Sequence, residues 1–426
     1  MKIAIKNALT ILPDKTKKCN IYIDGDSICA IGTPPVGFVP DRVIDGENHL
    51  LTPGLVNSHT HIYMTALRNR ADDLNFMTWL FDTVMPMENK LSEEDGYWSV
   101  QLGCMEMLLS GVTSILDMDI FADATASALA DCGMRGVVCR GMQDAGGWDA
   151  GLERIEIFKR EKEKYADIET LDFFLAPHAP YTCSEKYLRH ISEVAAEQKA
   201  GIHTHISESQ DEQDKCLAQN GLTPAGYYDR CGILTKKTTC AHSVYLSDSD
   251  LSLLAKRGTS VAHNPASNMK LGNGFAPVVS MLNHGVNVAI GTDGCCSNNN
   301  QNMLREMQLA ALIHKGTEKE ATAVPAATVF DMATKNGARA LGLGGVVGEI
   351  KVGMKADLAM FSLDYPGFLP LGEPKAALCY ASAGLRADTV LINGKILLDE
   401  GRFTTIDTQK VHWHVNVITN RLGAAY

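Results

Sequence analysis

The chain has 426 residues, enough for a barrel of about 250 residues with a smaller appended domain. Hydrophobic residues make up 45% of it and charged residues 21%, and both are spread along the whole length, which excludes a disordered or fibrous protein. The formal net charge of -11 would repel nucleic acid and an anionic membrane surface, so we expect neither as a partner.

Residues 1–53 alternate short apolar runs with turn residues. The runs are Ile3 to Ile5, Leu9 to Leu12, Ile21 to Ile23 and Ile28 to Ile31. This spacing leaves almost no room for helices and predicts a β-meander.

Residues 54–345 show a different period, in which short apolar runs alternate with amphipathic segments of helical length such as Ser92 to Ser110. Alternating strands and helices predict a parallel sheet of the α/β class. Eight of the runs end in polar residues, which predicts a closed (β/α)8 TIM-like barrel; they are 54–58, 113–117, 136–139, 173–176, 201–205, 239–241, 260–262 and 286–290. An open doubly wound sheet is the alternative, but the Gly-x-Gly-x-x-Gly turn after its first strand is absent.

Strand-like runs return in the C-terminal segment, at residues 356–361 and 389–398. We expect them to join the N-terminal strands in one small β-sandwich domain formed by both chain ends. The predicted boundaries are 1–53 and 346–426 for the two parts of this β-sandwich, and 54–345 for the barrel.

Twelve cysteines are dispersed along the chain, with one adjacent pair, Cys295 and Cys296, and no Cys-x-x-Cys unit. This distribution predicts reduced thiols in a cytoplasmic protein. Lysine interrupts the N-terminal run Met1 to Lys6 too early for a signal peptide, and no run approaches the roughly 20 apolar residues that span a bilayer. We therefore expect neither export nor a membrane anchor.

Polar residues that could bind a metal stand where the predicted barrel strands end: His59, His61, His178, His205, His242 and Asp293. The carboxyl ends of barrel strands converge on the face where active sites are built. His59 and His61 are two apart, so on a strand both imidazoles project to one side and can reach the same ion. We interpret the set as a candidate metal shell; His59 and His61 alone would rather indicate two solvent-facing loop histidines.

The unit His203-Thr204-His205 repeats this spacing, and periodicity alone does not separate its two histidines. His205 is followed three residues later by Glu208, which could serve the same pocket without binding the ion. A carboxylate beside metal-activated water can move protons. The alternative for Glu208 is a first-turn acid that stabilises the following helix.

Three motifs carry a resemblance to a known family: residues 53–61, residues 205–208, and residues 291–294 with 297–299. Together they resemble the amidohydrolase superfamily, in particular its mononuclear aminohydrolases, which deaminate purines, pyrimidines and triazines. Further segments are most similar to methylthioadenosine/S-adenosylhomocysteine deaminases; they are 70–74, 79–80, 86–91 and 176–181. Guanine, 8-oxoguanine and pterin deaminases and triazine hydrolases share this frame and remain alternatives.

The resemblance implies a role for each matching residue. The matched metal ligands are His59, His61, His205 and Asp293. His242 matches a histidine that contacts the attacking water, and Glu208 matches the acid/base carboxylate. Binuclear relatives carry a carboxylated lysine at the end of the fourth strand, whereas residues 171–178 contain no lysine, so one divalent ion is expected. The nitrogen-rich shell suits Zn²⁺ first and Fe²⁺ second.

This set of residues implies hydrolytic deamination of a small heterocycle, as in purine metabolism. An amino group leaves an aromatic ring only after the ring carbon becomes tetrahedral, so the site must supply a nucleophile and protonate a ring nitrogen. A divalent ion lowers the pKa of water from about 16 toward 7. Asp293, aided by His242, would take the water proton, and Glu208 would protonate the ring. A non-catalytic binding protein of the same fold is the alternative from a different class.

Four residues match family positions around the heterocycle and ribose: Trp79, Glu88, Arg140 and His178. Trp79 could instead be a core aromatic, and Glu88 an exposed acid at a helix start. Arg140 opens a loop that resembles the place where arginines grip the carboxylate of S-adenosylhomocysteine. Trp148 stands where a second arginine would, so we predict a preference for methylthioadenosine, adenosine or a smaller heterocycle unless Arg154 takes that position. We also expect a homo-oligomer.

Overall fold

The computed structural model describes residues 1–423. The N-terminal segment forms five strands: β1 (Lys2–Ile11), β2 (Thr16–Asp24), β3 (Ser27–Ile31), β4 (Arg42–Asp45) and β5 (His49–Pro53). β1, β2 and β3 form the predicted antiparallel meander. β1 is irregular around Asn7, which has a φ of 58°; it pairs in parallel with β4 up to Lys6 and with β5 from Leu9. This irregularity allows one long strand to pair with β4 along its first half and with β5 along its second half.

The middle of the chain forms an eight-stranded, all-parallel sheet in sequence order: β6 (Leu55–Thr60), β7 (Val112–Asp119), β8 (Arg135–Met142), β9 (Leu171–Pro177), β10 (Ile202–Ile206), β11 (Thr238–His242), β12 (Ser260–His263) and β13 (Asn287–Ile290). Its first and last strands meet, because the Asp293 N–H donates to the His59 carbonyl at 3.0 Å. Gly291 makes this approach possible, since a Cβ there would lie 2.8 Å from the His59 backbone. The predicted (β/α)8 barrel is therefore confirmed.

Helices connect the barrel strands and cover the outside of the sheet. The α-helices are α1 (Met85–Glu88), α2 (Glu93–Leu109), α3 (Ala122–Cys132), α4 (Trp148–Lys164), α5 (Glu185–Glu197), α6 (Gln210–Asn220), α7 (Pro224–Arg230), α8 (Asp248–Arg257), α9 (Pro265–Lys270), α10 (Val278–Asn283), α11 (Cys295–Asn298), α12 (Met303–Glu318), α13 (Ala326–Met332), α14 (Lys335–Ala340), α15 (Pro374–Tyr380) and α16 (Thr408–Arg421). Two 3-10 helices, Ile62–Leu67 and Pro366–Phe368, and a π-helix, Thr78–Val84, complete the set. Among residues 1–423, no helix combines the length and the apolar character needed to cross a membrane.

The C-terminal segment adds four strands to the N-terminal sheet: β14 (Leu358–Ser362), β15 (Ala387–Ile392), β16 (Lys395–Asp399) and β17 (Arg402–Phe403). β14 pairs antiparallel with β5, so both chain ends lie in one nine-stranded sheet, as expected. This sheet has its own buried aliphatic cluster, which includes Ile3, Ile23 and Leu358.

The helix α16 packs against the barrel and not against the nine-stranded sheet. In α16, His414 stacks on Trp98 of α2 at a ring separation of 3.8 Å, and Arg421 pairs with Asp95 of the same helix. The proposed domain boundaries at residues 53 and 346 stay a prediction.

Candidate functional site

The strand-end residues come together at the carboxyl end of the barrel. Their potential ligand atoms form two overlapping groups, each within 4.8 Å: His59 with His205 and His242, and His59 with His61 and Asp293. His59 and His61 lie at the end of β6, His205 on β10, and Asp293 follows β13. The barrel thus assembles side chains that are more than 230 residues apart in sequence.

Distances between the facing atoms are short. Asp293 Oδ1 lies 3.3 Å from His59 Nε2 and 3.4 Å from His61 Nε2. His205 Nε2 lies 3.3 Å from His61 Nε2. Four side chains therefore direct one donor atom each into the same small volume, which is the arrangement of a tetrahedral metal site.

Backbone carbonyls fix the tautomers of two of these imidazoles. His61 Nδ1 lies 2.7 Å from the Met118 carbonyl oxygen, and His205 Nδ1 lies 2.8 Å from the His178 carbonyl oxygen. Because a carbonyl can only accept, each Nδ1 carries a proton, and in the neutral imidazole the lone pair is then on Nε2. The lone pairs face the cluster, as in a histidine that binds a metal through Nε2.

One oxygen of the Asp293 carboxylate accepts hydrogen bonds from serines, and the other, Oδ1, faces the histidines. The hydroxyl groups of Ser267 and Ser297 donate to its Oδ2 at 2.6 and 2.7 Å. Its backbone has a φ of 62°, a left-handed conformation that turns the chain back into the cluster. Burial would raise the pKa of the Asp293 carboxyl, but His59 and the neighbouring histidines hold this pKa well below its usual range.

The protonation states fit a metal ion. Burial lowers the pKa of His59 to about 4 and that of His205 well below its usual value, so both rings are neutral at pH 7. His59 Nε2 is buried and has no hydrogen-bond partner among residues 1–423. A buried lone pair without a donor is costly, and a cation would satisfy it. Together with a carboxylate, these neutral imidazoles suit one divalent metal ion.

Glu208 and His242 lie beside the four side chains that could bind the metal ion. Burial raises the pKa of the Glu208 carboxyl, and Asn273 donates to its Oε1 at 3.1 Å. His242 shows the opposite balance: burial lowers its pKa, but the carboxylates of Glu208 and Asp293 outweigh burial and raise the pKa above its usual value. Its Nδ1 lies 2.9 Å from Asn268 Oδ1, an acceptor that keeps this nitrogen protonated. The pair can therefore exchange protons with a bound molecule.

A second carboxylate, Glu212, positions the Glu208 backbone, and the sequence analysis missed it. Its two oxygens accept from the backbone N–H groups of Ser207 and Glu208 at 2.8 and 2.9 Å. Ser207 has a φ of 51°, so the chain turns sharply at this point. The signal in the sequence is an acid four residues after Glu208, in the first turn of α6.

Three of the proposed substrate-binding residues lie close to the cluster. The His178 ring is 4.9 Å from the His205 ring, measured between centroids. Glu88 Oε1 accepts from the Tyr63 hydroxyl at 2.5 Å, and the Tyr63 ring is 6.4 Å from that of His61. Trp79 is buried, and its Nε1 donates to the carbonyl of Cys296, three residues after Asp293, at 3.1 Å.

Arg140 does not face the cluster, contrary to the expectation from the sequence. Val137 and Cys139 of β8 point into the barrel, so the alternation of a strand turns Arg140 outward, toward α4. There its guanidinium forms a buried ion pair with Glu161. Arg154, from the first half of α4, donates to the Gly141 carbonyl at 3.1 Å and so lies at the carboxyl end of β8. Trp148 packs under the Lys186 ammonium at 3.7 Å, on the outer surface.

Comparison with known proteins agrees with this geometry. Residues 50–397 match the amidohydrolase family. The 5-methylthioadenosine/S-adenosylhomocysteine deaminase of Thermoanaerobacter pseudethanolicus is 40% identical over 421 residues, which cover 97% of this chain and 98% of the relative. The 5'-deoxyadenosine deaminase of Methanothermobacter thermautotrophicus is 41% identical over 398 residues, 93% and 92% of the two chains. The crystal structure of an adenosine deaminase from Xanthomonas campestris, with bound zinc, has a TM-score of 0.94 at 31% identity and covers 99% of this chain and 98% of its own.

Proposed function

This chain belongs to the amidohydrolase family, and we propose that it is a hydrolytic deaminase that releases ammonia from the adenine ring of a nucleoside. The observation that carries the proposal is the arrangement of three imidazoles and one carboxylate around a single point, with Glu208 beside them. Relatives at about 40% identity over nearly the whole chain are named as deaminases of adenosine derivatives, which supports the adenine ring as the reacting group.

The proposed metal ligands are His59, His61, His205 and Asp293, holding one Zn²⁺ ion. Zinc bound in the similar Xanthomonas structure supports this choice of metal. A single ion is proposed because β9 ends in Leu175-Ala176-Pro177 and contains no lysine that could bridge a second one. When bound, such an ion lowers the pKa of water and so supplies a nucleophile near neutral pH.

The residues around the ion would move the protons of the reaction. Asp293, with His242 beside it, takes a proton from the attacking water. Glu208 donates a proton to the ring nitrogen next to the attacked carbon, and its raised pKa keeps that proton available at a higher pH. When the tetrahedral carbon collapses, the proton that Asp293 took from the water passes to the amino nitrogen, its bond to the carbon breaks, and it leaves as ammonia. The hydroxyl proton of the collapsing carbon returns to Glu208, so both carboxyls regain their starting states.

The remaining residues would hold the nucleoside. We propose that His178 contacts the heterocycle, that Glu88 accepts hydrogen bonds from sugar hydroxyls, and that Trp79 packs beside them. Arg140 is not part of this proposal, because its guanidinium is paired with Glu161 outside the barrel. A preference for methylthioadenosine, 5'-deoxyadenosine or adenosine over S-adenosylhomocysteine follows. A cytoplasmic location and a homo-oligomeric state stay predictions, the second testable by light scattering.

A substrate panel tests the proposed function. Purified protein, loaded with Zn²⁺, is assayed for ammonia release from methylthioadenosine, 5'-deoxyadenosine, adenosine, S-adenosylhomocysteine, guanine, 8-oxoguanine, a pterin and cytosine. We expect turnover of at least one adenosine derivative. Turnover confined to guanine, 8-oxoguanine or the pterin would place the enzyme in another branch of the family. Less than a tenth of an equivalent of bound metal, with no ammonia from any compound, would indicate a non-catalytic binding protein.

A further inference from the structure

His203 is a buried histidine of β10 that the proposed reaction does not use. Its ring lies behind His59, on the side away from the cluster. His59 Nδ1 is 2.8 Å from His203 Nε2, and His203 Nδ1 is 2.9 Å from the Thr239 carbonyl oxygen. Neither ring has any exposed surface. The three groups therefore form one continuous line of hydrogen bonds that starts at a backbone carbonyl and ends at the candidate metal site.

The carbonyl determines where the protons of this line sit. Thr239 O can only accept, so His203 Nδ1 must carry a proton. A second proton on His203 would make a fully buried cation, and within residues 1–423 both of its nitrogens are already occupied by His59 and Thr239, with no carboxylate to balance the charge. His203 Nε2 is therefore an acceptor, and His59 Nδ1 is the donor to it.

From this line we infer that His203 is a positioning residue: it holds the proton of His59 on Nδ1 and thereby keeps His59 Nε2 free to bind the metal ion. The inference rests on the metal site of the proposed function. His61 and His205 obtain the same tautomer from backbone carbonyls, which no side-chain substitution removes. His59 depends on a side chain, so its tautomer can be changed by mutation.

Asp293 shows why this control is needed. Its Oδ1 lies 3.3 Å from His59 Nε2. Without an acceptor behind Nδ1, His59 would place its proton on Nε2 and donate it to Asp293, since a hydrogen bond to a carboxylate is stronger than none. In that tautomer His59 Nε2 and Asp293 Oδ1 are hydrogen-bonded to each other, so neither atom is free to bind a metal ion. His203 therefore prevents this hydrogen bond between two proposed ligands.

Three variants test the inference by the affinity for Zn²⁺, measured by competition with a chelator and without substrate. His203→Phe fills the space but cannot accept, and we expect its affinity to fall about 10- to 100-fold. His203→Gln keeps an acceptor oxygen for His59 and an N–H for Thr239, and we expect it to recover most of this loss. Thr204→Val is the matched control, because Thr204 faces the other side of β10, where its hydroxyl pairs with that of Tyr228. Its affinity should stay within about threefold of wild type.

Two results would overturn the inference: wild-type affinity in His203→Phe, or an equal loss in the Gln and Phe variants, which would indicate a packing role. Nitrogen-15 spectra of the metal-free wild-type protein give a second test that needs no variant. They should show His59 protonated at Nδ1 and His203 unprotonated at Nε2, and the reverse pattern would contradict the inference. Failure of the proposed function is a distinct result: wild-type protein that binds no Zn²⁺, or binds it without deaminating any substrate, while these tautomers are still observed.

Discussion

His242 Nε2 lies 3.8 Å from Glu208 Oε2. The two residues are brought together because His242 ends β11 and Glu208 follows the neighbouring strand β10. The contact raises the pKa of the histidine, and the histidine in turn lowers that of the carboxyl, against the larger effect of burial. Both groups therefore bind a proton more tightly than a free carboxyl and a free imidazole do. A carboxyl that keeps its proton at a higher pH can act as a general acid toward a bound molecule.

We expect Glu208→Gln to fold and to keep its metal while kcat falls by about 10²- to 10⁴-fold, because the substitution removes a proton carrier and no proposed ligand. His61→Ala is the contrasting variant: it removes a ligand and should lose the metal. Bound zinc and ammonia release are measured on the same samples. If the Gln variant keeps more than a tenth of wild-type turnover, the acid/base role of Glu208 is wrong.

The sequence predicted which residues lie near this site better than it predicted which way their side chains point. His59, His61 and Asp293 could be grouped because the carboxyl ends of barrel strands must meet, whichever residues fill the core. His203 and His205 share a face of β10, so the sequence does not distinguish them. The contacts that they make with the histidines of β6 do: His205 lies directly against His61, whereas His203 reaches the cluster only through His59. The sequence did not indicate that Arg140 would pair with Glu161 outside the barrel, because a strand's register, which sets the inward side, depends on pairing with other strands.

A buried ion pair connects the two parts of the fold, and its removal should be costly. Arg135 of β8 donates to both oxygens of Asp357, which precedes β14, at 2.7 and 3.0 Å. Asp357 also accepts from the Asn393 N–H at 2.8 Å. We expect Asp357→Ala to lower the free energy of unfolding by about 3–5 kcal/mol, because it leaves the guanidinium buried without a counter-charge.

Denaturant unfolding of metal-loaded protein measures this effect. The matched control is Glu185→Ala, which breaks the exposed ion pairs of Glu185 with Arg189 and Arg230 and should leave the free energy of unfolding almost unchanged. Similar losses in the two variants would mean that the Arg135 pair contributes nothing beyond an ordinary surface contact.

Glu306 should make stability depend on pH. Burial raises the pKa of its carboxyl from 4.5 to about 7, although Asn298 and the Ala266 N–H donate to it. A carboxyl whose pKa is higher in the folded state binds its proton more tightly there, so its contribution is complete below pH 4.5 and is lost as pH rises through 7. The shift corresponds to at most about 3 kcal/mol.

Glu306→Gln isolates this contribution, because glutamine does not titrate in this range. We expect the free energy of unfolding of the variant to rise relative to wild type as pH increases from 5 to 8. Glutamine offers one acceptor oxygen instead of two, so the variant can be less stable at pH 5, and the change with pH is the relevant quantity. A constant difference across this range would show that Glu306 ionises normally.

The last prediction concerns the group attached to the sugar. S-adenosylhomocysteine differs from methylthioadenosine by an amino-acid tail, whose carboxylate is best held by the two parallel hydrogen bonds of a guanidinium. Arg140, near the end of β8, is already paired with Glu161, and Trp148, the first residue of α4, packs under Lys186 on the outside. Asp144, in the loop between β8 and α4, accepts from the Ser184 N–H and adds negative charge there. We therefore expect kcat/KM for methylthioadenosine to exceed that for S-adenosylhomocysteine by about tenfold or more, the value of one missing charged hydrogen bond.

Arg154 can reverse this preference, because its guanidinium reaches the Gly141 carbonyl at the carboxyl end of β8. Both substrates are therefore compared in wild type, in Arg154→Ala and in Arg154→Lys, which keeps the charge but loses the planar fork. If Arg154 does not contact the tail, the Ala variant changes kcat/KM for the two nucleosides by the same factor. A wild-type preference for S-adenosylhomocysteine that disappears in Arg154→Ala would contradict the prediction and identify this residue as the carboxylate anchor.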